Sequence, residues 1–447
     1  MNEINEYLSR IEKYGDLVAF TDGKNDCTYS EIVTQSKEIL GELLEARVSP
    51  GAKVAVIGDF SSTSISLLFA LFINSNIVIP ISAHSRIEIV ELVKVSGCDW
   101  IINCTNGDGY TIEKLVYVNE HSETFYSELR NSASSGLVLF SSGTSGKPKG
   151  IVHDLNRVLK RFKNPGKRYV TIPLLMFDHF GGYNTIFGLL SSGSKIVRIT
   201  ERSVDSVASA VENFKVTLLP TTPSFLALFL AAKLSVRYDL NSLEKISYGT
   251  EVMPQSLLEK LHKTFPNVKF QQTYGLSELG VLNSKSKSDN STWVKLGGEG
   301  YALKVENGEL WIKSEYSMLG YISENSALPA SGWFNTHDQV EVDGDFVRIL
   351  GRDSDLINIG GQKVFPQEIE DILLLHENVV SVRVTGEKHN LLGQIASAEV
   401  SLSEGAEVSK GDLRAFCKQH LASFKVPQQI KFVESIPLTH RMKKGKS

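Results

Sequence analysis

The stretch that decides the fold is LVLFSSGTSGKPKGIVHD at residues 137–154. Between its apolar ends, residues 141–150 hold four hydroxyl residues, three glycines and two lysines. Glycines let backbone N–H groups turn towards an anion, hydroxyls donate hydrogen bonds and lysines supply positive charge. The same composition suits a solvated Gly/Ser surface linker. Because the segment directly follows an apolar run typical of a buried strand, its position favours a ligand-binding loop over a linker.

This loop does not match the two common nucleotide fingerprints. Gly146-Lys147 is followed by Pro148, where the Walker A motif requires Ser or Thr, and position 141 is Ser rather than Gly. The GxGxxG pattern of dinucleotide-binding proteins is absent from it. The residue types therefore indicate a phosphate-binding loop of another kind.

Composition places the chain among ordinary globular proteins. It has 447 residues, of which 42% are hydrophobic and 22% charged, enough for a large core and more than one domain. A net charge of -4 and a pI near 6.2 give no basic surface for nucleic acid or an anionic membrane. The most apolar segment, 65–81, is interrupted by Asn74 and Asn76, so no membrane-spanning helix is expected.

Cysteine usage indicates a reducing compartment. The four cysteines form no CxxC pair and no metal-binding spacing. Scattered thiols, together with a polar N-terminus that lacks a signal-peptide pattern, predict a cytoplasmic protein.

Hydrophobic patterning predicts an α/β fold. Apolar runs typical of buried strands lie at 53–59, 77–82, 100–104, 137–142, 169–174, 195–199 and 216–220, and amphipathic segments between several of them lie at 84–96, 154–162, 203–214 and 223–233. This alternation predicts βα units around a mostly parallel sheet. Further along, Asn307-Gly308 and Asp343-Gly344 each separate two strand-like runs, which predicts hairpins and an antiparallel region.

The last part of the chain has the pattern of a separate, smaller unit. Helices are predicted at 366–376 and 409–421, and strands at 379–385, 394–402 and 429–434. We therefore expect a body at 1–353 and a small α+β domain at 354–447.

Six segments, in order, resemble the motifs of the adenylate-forming (ANL) superfamily, which includes acyl-CoA synthetases, aryl-CoA ligases, peptide-synthetase adenylation domains and luciferases. SSGTSGKPKG at 141–150 resembles the superfamily's phosphate loop. The others are YGLSE at 274–278 (YGxTE), WFNTHD at 333–338 (WxxTGD), GRDSDLIN at 351–358 followed by Gly360-Gly361 (GRxxDxIKxxG), VFPQEIE at 364–370 (VxPxEIE) and PLT at 437–439 (PLTxxGK). The sequence is identified as a compact member of this superfamily, for which the resemblance implies a large body and a small mobile C-terminal domain.

The resemblance implies an ATP- and Mg²⁺-dependent carboxylate ligase. A carboxylic acid becomes acyl-AMP with release of pyrophosphate, and the acyl group passes to a pantetheine thiol of CoA or a carrier protein. The phosphates would be held by Ser141, Ser142, Gly143, Thr144, Ser145, Gly146, Lys147 and Lys149. Glu278 would hold Mg²⁺, Ser277 would meet the α-phosphate and Lys443 would be the adenylation lysine.

The remaining site residues are also carried over from the superfamily's motifs. Gly249, Thr250, Glu251, Tyr274 and Gly275 would surround adenine, Asp338 would accept from the ribose hydroxyls and Arg352 would donate to ribose or phosphate. His179, Gly181 and Gly182 would line the acyl pocket, Ser354 would be the hinge, and Gly360 and Gly361 would admit the pantetheine arm.

Two departures from the superfamily's motifs matter for the chemistry. The hinge position is usually Asp or Lys and is Ser354 here. Gapless alignment of the last motif puts Met442 where glycine is usual and Lys443 at the adenylation position. The alternative assigns that role to Lys446, after Gly445, and requires a three-residue insertion.

Other functions remain open at this level. An amino-acid adenylation enzyme loading a carrier protein would need a carboxylate for the ammonium group, and Asp178 beside His179 is a candidate. The apolar residues before it favour a fatty, aryl or other small organic acid. A luciferase-like oxidoreductase and a catalytically degenerate nucleotide-binding scaffold, motivated by Ser354 and Met442, are further alternatives. The acceptor is the thiol of CoA or of a carrier protein, and the protein is a monomer or a homodimer; the sequence does not choose between these alternatives.

Overall fold

The computed structural model describes residues 3–83, 86–105, 109–115, 124–142, 148–322, 326–439, 442 and 444. Its α-helices are α1 (Glu3–Glu12), α2 (Tyr29–Glu45), α3 (Ser62–Ile73), α4 (Arg86–Ser96), α5 (Thr124–Asn131), α6 (Leu155–Lys160), α7 (Phe180–Ser191), α8 (Val204–Phe214), α9 (Pro223–Ala231), α10 (Gln255–Thr264), α11 (Pro366–Leu375) and α12 (Lys410–His420). No helix within these ranges is both long and apolar enough to cross a lipid bilayer.

The first sheet is parallel except at one edge. Its strands, in spatial order, are β13 (Lys269–Gln272), β12 (Lys245–Tyr248), β11 (Leu218–Thr221), β9 (Val170–Thr171), β10 (Lys195–Val197), β1 (Val18–Thr21) and β2 (Asp26–Thr28). Only the β1–β2 pair is antiparallel. The carboxyl ends of β11, β12 and β13 therefore meet at one edge, which is where open parallel sheets bind ligands.

The second sheet has a parallel centre and antiparallel sides. Its order is β20 (Ser326–Ala327), β19 (Gly320–Tyr321), β8 (Pro148–Asp154), β7 (Gly136–Ser142), β4 (Ile77–Ser82), β3 (Lys53–Gly58), β5 (Trp100–Thr105) and β6 (Gly109–Lys114). The sequence patterning did not predict β8, which pairs antiparallel with β7. Residues 143–147, most of the predicted phosphate loop, thus connect two antiparallel strands, and they lie outside the described residues.

One apolar helix layer joins these two sheets. The core of α3 is buried all round, from Ser64 to Phe72. A single hydrophobic cluster contains Phe69 of α3, Phe20 of the first sheet and Leu137 of the second. A helix that is buried on all sides fits a position between two sheets. The helices and the mostly parallel sheets confirm the α/β class.

The third sheet is antiparallel, as the turn signals predict. Its order is β14 (Tyr274–Leu276), β15 (Gly280–Ser286), β16 (Val294–Gly297), β22 (Phe346–Arg352), β21 (Trp333–Asp343), β18 (Glu309–Ser314) and β17 (Tyr301–Glu306). Asn307 and Gly308, with φ of 53° and 80°, form the two-residue turn between β17 and β18. Gly344, with φ of 57°, begins the turn between β21 and β22.

The C-terminal residues build a smaller α+β unit with its own core. Its sheet has the order β24 (Gln362–Val364), β23 (Ile357–Ile359), β26 (Gly393–Leu402) and β25 (Val379–His389), and β27 (Gln429–Phe432) pairs with β26. Residues of α11 and α12 pack on it in one hydrophobic cluster. Ser354 lies in a short 3₁₀ turn at Asp353–Asp355 between β22 and β23.

Helices α10 and α11 connect this unit to the body. Asp371 Oδ1 accepts from the N–H of Ser256 at 2.9 Å and from its hydroxyl at 2.5 Å. Lys260 Nζ donates to the carbonyl oxygen of Leu374 at the C-terminal end of α11, where a cation is favoured by the helix dipole.

Candidate active site

The edge where β11, β12 and β13 end contains the segment expected to surround adenine. A Cβ at Gly249 would lie 2.4 Å from Thr273 Oγ1 and 2.7 Å from its carbonyl oxygen, so a side chain does not fit there. Thr250 follows with φ of 71°, a strained value for an exposed β-branched residue. Strain of this kind concentrates at ligand-binding positions, which is consistent with the expected contact.

Tyr274, Asp338 and Arg352 come together in three dimensions. The Tyr274 hydroxyl donates to Asp338 Oδ2 at 2.5 Å, and Arg352 Nε donates to Asp338 Oδ1 at 3.3 Å. Asp338 and Arg352 are opposite each other in the β21–β22 ladder, which explains how two separate motifs form one cluster. Half of the Arg352 side chain (56%) is exposed and can turn towards a ligand.

The environment of Asp338 is set by burial and by an unusual backbone. Its side chain is 11% exposed, and burial raises the pKa of Asp338 despite hydrogen bonds from Tyr274 and Arg352 that lower it. His337, at the position where the WxxTGD motif has glycine, adopts φ of 57°. His337 thus has the left-handed backbone conformation that glycine adopts most readily.

Ser277 and Glu278 lie in the turn between β14 and β15, beside the second sheet. Glu278 Oε1 accepts from the Tyr321 hydroxyl at 2.9 Å. The Tyr321 ring has Lys149 Nζ above it, 5.4 Å from the ring centroid. Lys149 is paired across β7–β8 with Ser141, so Tyr321 connects an arm of the phosphate loop to Glu278.

The residues around Glu278 suit a metal that is held mainly by phosphates. Among the described residues, no three His, Cys, Asp or Glu side chains cluster in a way that could cage an ion. Mg²⁺ keeps several waters and commonly takes one or two carboxylates together with substrate phosphates. The Glu278 carboxylate, linked through Tyr321 to Lys149 of the expected phosphate loop, would fit Mg²⁺ bound to ATP.

The end of the chain lies against the same edge of the first sheet. The hydroxyl of Thr222, the residue that caps α9, donates to the carbonyl oxygen of Met442 at 2.6 Å. The N–H of Lys444 donates to Glu251 Oε1 at 3.1 Å. Lys443 itself lies outside the described residues, as do Gly445 and Lys446.

The residues expected at the acyl pocket surround the start of α7. His179 caps this helix, its Nδ1 accepting from the N–H of Gly181 at 3.0 Å. A Cβ at Gly182 would lie 2.3 Å from the carbonyl oxygen of Met176, so this glycine is required by packing within the chain. Asp178 is buried. Contact of these residues with an acyl group stays a prediction.

Gly360 and Gly361 lie apart from the other site residues. They form the turn between β23 and β24 with φ of 58° and 88°, a conformation that requires glycine-like freedom at both positions. They line an open groove of about 800 Å³ together with residues of the small unit, including His389 and Leu392. In this arrangement of the two units, Gly360 and Gly361 do not lie beside the residues that are expected to bind the nucleotide.

His153 of β8 is a buried titratable residue that the sequence analysis did not single out. Its ring is fully buried, 4.9 Å from the ring of Phe180, and lies near the backbone of Ser277. Burial lowers the pKa of His153 to about 4, and the backbone of Ser277 opposes this shift. A neutral imidazole therefore lies between the phosphate-loop strand and the Ser277–Glu278 turn.

This burial predicts a loss of stability in acid. An unfolded histidine binds its proton near pH 6.5, so the contribution of His153 is present above that pH and is lost as the pH falls towards about 4. We expect it to remove about 3 kcal/mol from the free energy of unfolding between neutral pH and about pH 4. When unfolding by urea is measured across this pH range, the free energy of unfolding of His153→Leu should vary less with pH than that of the unmutated protein. The exposed His420→Gln variant is the control, and equal pH dependence in all three proteins would contradict the prediction.

Sequence reasoning missed Tyr321, Thr222 and His153. A Thr-Pro pair before an apolar helix is a recognisable N-cap signal, and it could have identified Thr222. Nothing local marks Tyr321 or His153, because their roles depend on the neighbouring strands β8 and β19 and on the turn after β14.

Comparison with known proteins identifies relatives of this chain. Residues 8–322 match the family of AMP-binding enzymes, and residues 368–443 match its C-terminal domain. The chain is 30% identical over 338 residues to the probable CoA ligase CCL5 of Humulus lupulus, covering 69% of this chain and 61% of that protein. It is 26% identical over 466 residues to a 2-succinylbenzoate–CoA ligase of Geobacillus sp. (strain WCH70), covering 97% of this chain and 94% of that one.

Solved structures show the same fold. The anthranilate CoA ligase AuaEII in complex with anthranoyl-AMP superposes with a TM-score of 0.81 at 20% identity, covering 99% of this chain and 95% of that one. The family match covers well over half of the sequence and includes both the body and the small unit. The chain belongs to the family of AMP-binding enzymes, within the adenylate-forming superfamily.

Proposed function

We propose that this protein is an ATP- and Mg²⁺-dependent carboxylate ligase that forms an acyl-AMP and then transfers the acyl group to a pantetheine thiol. The observation that carries the proposal is the meeting of separate parts of the chain at the carboxyl edge of the first sheet. Thr250 and the end of the chain, at Met442 and Lys444, lie beside this edge. The cluster of Tyr274, Asp338 and Arg352 lies on β14, β21 and β22, strands that follow the edge in the chain.

The chemistry explains why these residues are needed together. An oxygen of the carboxylate attacks the α-phosphorus of ATP, and the bond to pyrophosphate breaks. Both reactants are anions, so catalysis consists mainly of alignment and charge neutralisation. Ser141 and Lys149, with the loop between them, would hold the β- and γ-phosphates, and Ser277 would donate to the α-phosphate. Glu278 would hold Mg²⁺ with the phosphates, and the ion would neutralise charge on the leaving pyrophosphate.

Lys443 is our candidate for the adenylation lysine. Its two neighbours in the chain contact Thr222 and Glu251, and consecutive Cα atoms are about 3.8 Å apart. Met442 has φ of 57°, the left-handed conformation that favours glycine. The superfamily's motif has glycine immediately before its lysine, so this backbone supports the gapless alignment and Lys443 over Lys446.

The left-handed conformation of Met442 leads to a prediction. A β-branched residue is strained further at this φ, so Met442→Val should weaken adenylation about 5-fold, an added cost of about 1 kcal/mol. Met442→Gly suits the conformation and should retain at least the unmutated rate. Steady-state pyrophosphate release measures both variants. Equal rates for the valine and glycine variants would show that the conformation at residue 442 is unimportant and would remove this support for Lys443.

For the acid, we propose an aryl or other small organic acid. His179, whose Nδ1 accepts a hydrogen bond from the N–H of Gly181, lies in one segment with the buried apolar residues Met176, Phe177 and Phe180. The 2-succinylbenzoate–CoA ligase among the relatives acts, by its name, on an aryl acid. An amino acid would instead place its ammonium group against Asp178.

The acceptor, the location and the assembly are also proposals. Gly360 and Gly361 would admit the pantetheine arm of CoA or of a carrier protein after the small unit rotates about Ser354. All four cysteines are free thiols, which supports a reducing cytoplasm. For the assembly, we propose a monomer or a homodimer.

The test is pyrophosphate release from ATP and Mg²⁺ with a panel of aryl, fatty and amino acids. We expect release with at least one aryl or small organic acid, and consumption of a thiol when CoA or a phosphopantetheinyl carrier protein is added. Release with amino acids alone would favour the role of Asp178. ATP binding without turnover of any acid would contradict the proposal and indicate a nucleotide-binding scaffold.

A further inference from the structure

Lys444 is held by both units of the protein. Its main-chain N–H donates to Glu251 Oε1 of the body at 3.1 Å, and its Nζ lies 2.6 Å from Glu370 Oε2 in α11. Glu251 is itself fixed, because its other oxygen accepts from the N–H of Ser224 in the first turn of α9 at 3.1 Å. Lys444 is thus attached at two points, to α9 through Glu251 and to α11 through Glu370.

The partner of the Lys444 ammonium group is a buried carboxylate. The side chain of Glu370 is 9% exposed and that of Lys444 is 25% exposed. The second oxygen of Glu370 accepts from the N–H of Val384 in β25 at 2.8 Å, so both oxygens have partners. A buried carboxylate without its cation is costly, and the position of the ammonium group is therefore fixed by α11 and β25 together.

The contacts divide into two kinds. The Glu370–Lys444 pair lies within the small unit and braces the end of the chain against α11. The Thr222–Met442 and Glu251–Lys444 hydrogen bonds cross from the body to the end of the chain. The ion pair of Lys444 with Glu370 joins the end of the chain to α11. The hydrogen bonds of Met442 with Thr222 and of Lys444 with Glu251 join it to the edge of the first sheet.

We propose that Lys444 is a positioning residue for the adenylation step, acting through its ion pair with Glu370 on the adenylation lysine that we assign to the preceding position. The inference rests on the function proposed above and adds a second lysine that does not contact the reacting atoms. A displacement of about 1 Å of an aligned catalytic group can cost about 100-fold in rate. Transfer of the acyl group to the thiol does not need Lys443, so it does not need the Lys444–Glu370 ion pair.

The test compares the two half-reactions in Lys444→Met. This variant keeps the main-chain donor to Glu251 and the length of the side chain, and loses only the charge that pairs with Glu370. We expect carboxylate-dependent ATP–pyrophosphate exchange to fall about 100-fold, while thioester formation from a preformed acyl-adenylate stays within about 2-fold. Lys444→Arg keeps the charge and should recover most of the exchange.

A matched control lies on the same helix. Lys425 pairs with Glu368 of α11, and within the described residues neither side chain forms a hydrogen bond or ion pair with Met442 or Lys444. Lys425→Met removes an ion pair of α11 and should leave exchange unchanged. In a double-mutant cycle, Glu370→Gln should add little to Lys444→Met, because residues that act through one contact are not additive.

Three results would overturn the inference. The first is unimpaired exchange in Lys444→Met. The second is equal loss of both half-reactions in Lys444→Met, which would indicate a general structural role. The third is failure of Lys444→Arg to recover any exchange, which would indicate a direct catalytic role for the lysine. Absence of exchange in the unmutated protein with every acid would instead reject the proposed function and this inference with it. Thermal unfolding of each variant shows whether the fold is intact.

Discussion

Lys443→Ala is expected to lower carboxylate-dependent ATP–pyrophosphate exchange about 1,000-fold and to spare thioester formation from preformed acyl-adenylate. In the adenylation step, negative charge concentrates on the α-phosphoryl oxygens as two anions meet. Loss of one preorganised donor to such charge costs about 100- to 1,000-fold, and a full positive charge belongs at the upper end of that range. In the proposed second step the thiol attacks the acyl carbon instead, and we propose that the pantetheine arm enters beside Gly360 and Gly361.

The comparison with Lys446→Ala makes this result decisive. The two lysines are three positions apart in a basic segment, so a general effect of charge would lower exchange in both variants. We expect exchange to survive in Lys446→Ala. Loss of exchange in Lys446→Ala together with normal exchange in Lys443→Ala would assign the role to the Gly445-Lys446 pair.

Asp338→Asn is expected to weaken ATP binding about 100-fold without lowering the stability of the free protein at neutral pH. An ionised carboxylate can accept from both ribose hydroxyls, and each hydrogen bond to a charged group contributes about 1.5–3 kcal/mol. Asparagine keeps the shape but offers one acceptor oxygen, which the Tyr274 hydroxyl already requires. Most of the ribose interaction is therefore lost.

The stability part of this prediction follows from the raised pKa of Asp338. Burial favours its protonated form in the folded protein, so its stabilising contribution is present in acid and is lost as the pH rises through the folded pKa. At neutral pH the ionised carboxylate costs stability, and asparagine removes that cost. Calorimetric titration with ATP and thermal unfolding at neutral pH measure the two effects.

Glu341→Gln on the same strand is the matched control. This carboxylate is half-exposed and pairs with Arg348 across the same hairpin. It should change neither ATP affinity nor stability to a measurable degree. Unchanged ATP affinity in Asp338→Asn would contradict the proposal that Asp338 binds the ribose hydroxyls. A large loss of stability in this variant would contradict the prediction that the buried charge of Asp338 destabilises the free protein at neutral pH.

The parts of the fold that the sequence predicts well are those with strong local constraints. Asn307-Gly308 specifies a turn because few other residues accept two positive φ angles in succession. Helix α3 and strand β4 follow from the most apolar stretch of the chain, residues 65–81. By contrast, β8 starts with Pro148 and Lys149 and has no clean alternation, while β12 and β13 are short and partly polar. Their strand state depends on neighbours that patterning does not reveal.

The site divides in the same way. The residue types of the Asp338 and Arg352 motifs are visible in the sequence, but their contact depends on the register of β21 and β22, including a bulge between Gln339 and Val340. The Lys444–Glu370 pair joins residues 74 positions apart, and no local signal marks it. The expected phosphate-loop residues 143–147 and the expected lysine at 443 lie outside the described residues, so their roles stay predictions.

The most direct test of the central claim follows the oxygen atoms of the acid. In the proposed reaction a carboxylate oxygen bonds to the α-phosphorus, pyrophosphate leaves, and the later thiol attack breaks the bond between that oxygen and the acyl carbon. An accepted acid labelled with oxygen-18 in its carboxyl group should therefore give AMP that carries a single labelled oxygen, detected by mass spectrometry. Unlabelled AMP, or ADP with labelled inorganic phosphate, would show attack elsewhere and would contradict the account.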